Sequence, residues 1–201
     1  MEKSFIKIYK DELPGGLCDD LTDLFKSNHQ FVRKHDADYR RCDMLTFPHD
    51  QISESKILYD NVKAIIKNSY SKYKNDISPN GGDGTIISAN LIESANIICY
   101  TPNKDNPEKF NTHADSFNLD SCSRQVSIII YLSDVDEGGC TVFPYYKLSV
   151  KPEKGTILMF PSFFNYTHYA EAPISNQKYI IVSWIHFGDK VGTTKFGCTP
   201  L

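Results

Sequence analysis

Val126-Ser127-Ile128-Ile129-Ile130-Tyr131-Leu132 is a short run of β-branched and aromatic residues that stops at the turn-forming pair Ser133-Asp134, which is how a buried strand reads. Ile97 to Tyr100, Thr156 to Phe160 and Tyr179 to Phe187 have the same texture and are separated by clusters of Gly, Pro, Asn and Asp. Such spacing predicts an antiparallel β-sandwich or barrel over the second half of the chain. Upstream the period changes. Leu17, Leu21, Leu24 and Phe25, then Leu58, Val62, Ile65, Ile66 and Tyr70, recur at helical spacing, so two amphipathic helices are expected, each with one apolar stripe to bury. Lys56, Lys63, Lys67, Lys72 and Lys74 fall on the second of these and read as its solvated face. Between helices and strands, Ile77 to Thr85 (ISPNGGDGT) is made of turn-formers and is expected to be a loop. The fold class is therefore α+β in one domain, with a helical support over 1–76 and a β core over 86–190.

Bulk properties narrow the function classes. The 201 residues suit one domain with a real core, and the formal net charge of -3 gives no drive toward nucleic acid or anionic membrane. No apolar run approaches the ~20 residues of a membrane span. The start, MEKSFIKIYKDELPGG, lacks the apolar centre of a signal peptide, and a cytoplasmic location is expected. Cys18, Cys42, Cys99, Cys122, Cys140 and Cys198 form no C-x-x-C pair. Neither a zinc knuckle nor a thioredoxin-like motif is present, and reduced thiols are expected.

The chemistry-bearing residues are few. His113-Ala114-Asp115 puts an imidazole and a carboxylate at i and i+2, on one face of an extended chain. His168 lies far enough along for strand and turn to bring it back across a sandwich. Two histidines and one carboxylate make the facial set used by non-haem Fe(II) oxygenases, which leaves coordination positions open. His29, His35 and His49 receive no metal role, as ordinary surface or core histidines. His186 shares strand parity with Lys178 and offers an alternative third ligand.

In order along the chain stand Tyr100, Phe110, His113-x-Asp115, Arg124, Tyr131-Leu132-Ser133-Asp134, Glu137-Gly138-Gly139-Cys140-Thr141-Val142-Phe143-Pro144, Val150-Lys151-Pro152, Lys154-Gly155, Phe160, His168, Pro173, Lys178-Tyr179 and Trp184. This series closely resembles the prolyl-4-hydroxylase branch of the Fe(II)/2-oxoglutarate oxygenases. The resemblance implies a double-stranded β-helix, or jelly-roll, with iron on His113, Asp115 and His168. It implies 2-oxoglutarate as co-substrate, O₂, and ascorbate as the reductant that keeps iron in service. Lys178, ten residues after His168, matches the basic residue that takes the distal carboxylate of 2-oxoglutarate, with the Tyr131 hydroxyl on the same carboxylate and Tyr100 close by. Arg124 would stand at the mouth of the site, and Trp184, which shares strand parity with Lys178, would wall the pocket on its substrate side, with core packing the alternative for it. Arg41-Cys42-Asp43-Met44-Leu45-Thr46-Phe47 resembles the strand bordering the substrate groove, which would put Arg41 on a peptide carbonyl and pair Asp43 with Arg124; a solvent-exposed ion pair is the alternative reading. Glu137-Gly138-Gly139 reads as a structural turn whose glycines take positive φ. The chain departs from the family between Tyr100 and His113, where Thr101 to Lys109 is longer and free of glycine and Phe110 replaces a tyrosine.

The implied reaction is hydroxylation of an unactivated C–H with release of succinate and CO₂, on a prolyl residue of a peptide or protein. A free amino acid or another side chain fits the same chemistry. A sandwich that binds metal or a small ligand without turnover is the reading from a different class, against which the triad and Lys178 together stand. A nucleobase oxygenase would need stacking aromatics on a basic groove, and Tyr39, Arg40 and Arg41 are the one local hint of it.

Overall fold

The computed structural model describes residues 4–78, 89–187 and 199–200. In chain order its elements are β1 (Lys7–Tyr9), α1 (Gly15–Ser27), β2 (Arg33–Ala37), β3 (Arg40–Phe47), α2 (Ser55–Ile77), β4 (Leu91–Ile92), β5 (Ala95–Tyr100), β6 (Phe110–His113), β7 (Arg124–Tyr131), β8 (Thr141–Phe143), β9 (Leu148–Val150), β10 (Ile157–Pro161), β11 (His168–Ala170), β12 (Lys178–His186) and β13 (Thr199–Pro200). Most of the expected 77–85 loop, and Cys198, fall outside the described residues. The two helices stand where the apolar spacing put them.

The strands pair antiparallel in the order β1-β10-β7-β12-β5-β3-β6-β11-β8-β9, with β2 on the outer side of β3 and β4 on β12. This sheet curls into two walls. The larger, β1 to β3 in that order, carries α1 and α2 on its convex side, and the smaller, β6-β11-β8-β9, closes over its concave side. The result is a jelly-roll backed by N-terminal helices.

Burial on both faces explains why β7 is not alternating in sequence. Ile128 and Ile130 join Ile157, Met159 and Ile181 beneath the helices, where Leu21, Phe25, Val62 and Ile66 cover them. Ile129 and Tyr131 instead face Leu158, Phe160, Phe143 and Ile180 between the walls. The same two-residue period in β12 sends Lys178, Ile180, Val182 and Trp184 to the concave side. The helices are fastened by polar tips as well as apolar stripes: the Tyr70 hydroxyl donates to the Ala89 carbonyl and the Tyr73 hydroxyl to that of Phe5, both at 2.9 Å. No helix among the described residues is long and apolar enough to cross a membrane.

Candidate metal centre and co-substrate cavity

His113 is the last residue of β6 and His168 the first of β11, and the two are register partners on neighbouring antiparallel strands. Return of the chain for the third ligand is thus a cross-strand pairing within the smaller wall. Asp115 follows β6 by two residues, and its turn is tied down by Ser116 N–H donating to the Ser162 carbonyl at 2.8 Å. The ligand atoms of the three side chains lie within 4.8 Å of one another. His113 Nε2 is 3.5 Å from Asp115 Oδ1, and His168 Nε2 is 3.9 Å from Oδ2.

The surroundings aim these atoms. His113 Nδ1 meets the Asn111 carbonyl at 2.8 Å and His168 Nδ1 the Tyr166 carbonyl at 3.1 Å. A carbonyl only accepts, so each Nδ1 carries the proton and each Nε2 lone pair is left for a metal. Burial pushes the His168 imidazole down to about 4, which keeps it neutral near pH 7. Burial pushes the Asp115 carboxyl up, but the neighbouring imidazoles of His168 and His113 and a hydrogen bond from Ser127 outweigh it and hold the group well below the usual carboxylate range. Ser127 in turn meets Ser162 Oγ at 2.9 Å. Phe110 stacks on His113 with centroids 3.6 Å apart, and Phe160 packs edge-on against His168. Two imidazoles and one carboxylate, gathered on one side of the point they surround, suit a divalent iron with open positions.

The triad opens into a cavity lined by Arg40, Ile98, Tyr100, Phe110, Ile129, Thr141, Ala170, Lys178, Ile180, Val182 and Trp184. Lys178 is completely buried. Its Nζ donates to the Gly139 carbonyl at 2.6 Å and lies 5.5 Å and 5.7 Å from the Tyr100 and Tyr131 ring centroids. Burial pushes its ammonium down to about 8. Among the described residues no carboxylate forms an ion pair with it, so the cavity holds a buried cation that a carboxylate ligand would neutralise. Tyr100 lines the cavity. Tyr131 stands behind it, with its hydroxyl donating to Thr141 Oγ1 at 2.8 Å, and Thr141 reaches the cavity in its place. Gly138 and Gly139 do take positive φ, +72° and +71°. Their turn does more than close: it supplies the carbonyl that seats Lys178.

Arg124 and Trp184 meet at the mouth, with the guanidinium carbon 3.6 Å from the indole centroid. The Arg124 partner differs from the expected Asp43. It is Glu93, 6 % exposed, gripped by Nε and Nη2 at 2.9 and 2.7 Å. Glu93 also meets His186 Nε2 at 2.6 Å, and His186 Nδ1 meets Ser123 Oγ at 2.9 Å. That network occupies both His186 nitrogens away from the triad, so the alternative third ligand is set aside. Arg41 turns outward, ion-pairing with Asp36 and Asp38 at 2.9 and 3.2 Å, and Asp43 lies beside Lys34, Gln177 and Tyr179 on the same outer face. Strand parity is the reason: in β3 the residues facing the cavity are Arg40 and Cys42, one step out of phase with the expectation. Glu93, Thr141 and Arg40 are thus the site residues that sequence reasoning missed.

Residues 95–186 match the family model of the 2OG-Fe(II) oxygenase superfamily. That stretch of the chain is similar to the superfamily. Within it the likeness is to the prolyl 4-hydroxylase type: the chain is 32 % identical over 133 residues to probable prolyl 4-hydroxylase 9 of Arabidopsis thaliana, covering 53 % of this chain and 45 % of that protein. It is 33 % identical over 90 residues to prolyl 4-hydroxylase subunit alpha-1 of Homo sapiens, covering 41 % of this chain and 16 % of that one. The chain spans less than half the length of these relatives. Its fold is shared with the viral collagen prolyl hydroxylase of Paramecium bursaria Chlorella virus-1, at a TM-score of 0.65 and 20 % identity over 92 % of this chain and 97 % of that one. A Pseudomonas putida prolyl-4-hydroxylase is similar at a TM-score of 0.69 and 16 % identity, over 92 % and 94 % of the two chains. The Fe(II) and 2-oxoglutarate named by that family model fit the donor set and the buried lysine of this cavity.

Proposed function

We propose that the chain is an Fe(II)- and 2-oxoglutarate-dependent dioxygenase that hydroxylates a prolyl residue in a peptide or protein. The observation that carries this reading is the pairing of a His113, Asp115, His168 metal set with a fully buried, carboxylate-free Lys178 in one cavity. Bound iron and 2-oxoglutarate supply oxidative decarboxylation to succinate and CO₂, coupled to insertion of oxygen into an unactivated C–H.

The chain's own residues bind, orient and exclude water. Lys178 takes the distal carboxylate, with Thr141 beside it and Tyr131 holding the Thr141 hydroxyl in place. Ile98, Ile129, Ile180 and Val182 give the co-substrate's methylene carbons an apolar wall. Ser127 and the Nδ1 bonds fix the ligand atoms so that no reorganisation is needed when the metal arrives. Arg124, clamped by Glu93 and laid on Trp184, forms a rigid platform where the target residue would sit. The open groove outside, along Lys109 to Thr112 and Tyr169 to Ala172, suits an extended peptide. In this reading residues 1–201 act as one catalytic domain, with 1–76 as support and 86–190 as the working core. Ascorbate would serve as the reductant for iron held by His113, Asp115 and His168.

The test is succinate formation by purified protein with Fe(II), 2-oxoglutarate, ascorbate and O₂, with and without a panel of proline-containing peptides. Peptide-stimulated succinate with a product heavier by one oxygen atom is expected. Metal-loaded protein that makes no succinate under any condition overturns the reading.

A further inference from the structure

Arg40 is the charged cavity residue that the oxygenase reading leaves unused. Its strand parity turns it inward opposite Phe110, its register partner on β6, and its guanidinium carbon lies 4.8 Å from that ring's centroid. The Tyr100 hydroxyl and Cys42 thiol stand beside it, and Nη2 reaches the Met44 sulfur at 3.8 Å. Among the described residues no carboxylate pairs with it. Its Nε is buried and has no hydrogen-bond partner, and the same is true of Trp184 Nε1, a second donor on the lining of this cavity. A guanidinium stays charged at every physiological pH, so enclosing one without an anion is costly.

The co-substrate does not meet that need. The charges of Fe(II), Asp115, the 2-oxoglutarate dianion and Lys178 cancel, and a filled centre still retains the charge of Arg40. Phe110 lies between Arg40 and His113, stacked on the latter, so an anion on Arg40 sits one aromatic ring from a proposed metal ligand. We infer that Arg40 is a specificity-determining residue that binds a carboxylate of the prime substrate, close to the carbon that is hydroxylated. The inference rests on the oxygenase reading and adds to it the charge of the substrate. Two sources present this carboxylate: the α-carboxylate of a free amino acid, and an acidic side chain next to the target in a peptide. The planar fork of a guanidinium grips either in bidentate fashion.

Trp184 is the chain's one tryptophan and lines the cavity, so its fluorescence reports occupancy without turnover. Fe(II)-loaded protein would be titrated without oxygen, first with 2-oxoglutarate and then with acid and amide pairs: L-proline against L-prolinamide, and blocked Ala-Pro-Glu and Glu-Pro-Ala against their Gln counterparts. Wild-type protein is expected to bind one acid at least about tenfold tighter than its amide. Arg40→Gln should erase that preference while 2-oxoglutarate binds within about twofold of wild type, because Lys178 is intact. Arg40→Lys, which keeps the charge and is the milder change should Gln disturb folding, should retain part of it. Preference within the proline pair assigns a free amino acid, and preference within a peptide pair assigns an acidic neighbour. Equal or absent binding of acid and amide by wild type, a preference that survives in Arg40→Gln, or an equal loss of 2-oxoglutarate affinity in that variant overturns the inference. Wild-type protein that binds no 2-oxoglutarate removes the oxygenase reading itself, and this inference with it.

Discussion

At the scale of single residues, Lys178 makes the sharpest statement because it works against the fold that holds it. Its folded pKa of about 8 lies below the ordinary lysine value of 10.5. Between those values the unfolded chain binds more protons than the folded one, so ligand-free stability should rise as pH goes from 8 to 10.5. Lys178→Met, which removes the buried charge at similar length, should stabilise ligand-free protein by about 1–3 kcal/mol and need at least about tenfold more 2-oxoglutarate for the same ligand stabilisation. Urea unfolding with and without 2-oxoglutarate checks both halves, and a destabilised Met variant would show that the buried ammonium is well satisfied by Gly139 alone. Ser127→Ala removes the hydroxyl that holds Asp115, and iron affinity should fall about 10- to 100-fold, measured by competition with a chelator. The grouping of His113, Asp115 and His168 and the cavity position of Lys178 were legible in the chain through the family resemblance and its spacing. Arg40 and Arg41 were not distinguishable, since adjacent arginines on a strand differ only in parity, and parity is fixed by which neighbour strand pairs where. Glu93 was hidden for a related reason: its partner Arg124 is far away in sequence, and an acid between Ile92 and Ser94 carries no local sign of being buried.

At the scale of elements, the turn before β8 links backbone shape to ligand binding. A Cβ on Gly138 would stand 2.5 Å from the Ala172 carbonyl oxygen, at a φ of +72°. Gly138→Ala should therefore cost about 1–3 kcal/mol in strain alone and, by shifting the Gly139 carbonyl off Lys178, weaken 2-oxoglutarate binding as well. Thermal melts and a 2-oxoglutarate titration separate the two effects, and an unchanged melting temperature would contradict the account. The helices and the long strands were readable from periodicity because each has a dominant face to bury. The short strands β6, β8, β9 and β11 were less so, being three or four residues long and defined by pairing across the smaller wall more than by composition. The expectation that His168 returns across the sandwich becomes, in the structure, a direct pairing of His168 with His113 on the next strand.

Taken as a whole molecule, the fold divides its labour between two cores. The one under α1 and α2 is mainly apolar, with a few buried hydroxyls such as Thr22 and Ser69. The one between the walls is interrupted by the triad, Lys178 and Arg40, groups that the fold leaves for ligands to complete. Iron and 2-oxoglutarate should accordingly raise stability together by mass action, about 2.7 kcal/mol for a ligand at a hundred times its Kd, and a chelator should return the melting temperature to the ligand-free value.

The central claim is that His113, Asp115 and His168 hold iron in a cavity where Lys178 receives 2-oxoglutarate. Its most direct test is anaerobic addition of 2-oxoglutarate to Fe(II)-loaded protein, following the visible charge-transfer absorption of an iron-bound 2-oxo acid. The account predicts that the band develops and saturates in wild type, is lost in His168→Ala, persists in His186→Ala, and needs at least about tenfold more 2-oxoglutarate in Lys178→Ala. A band that survives unchanged in His168→Ala, or a Lys178→Ala variant that saturates as wild type does, would contradict it.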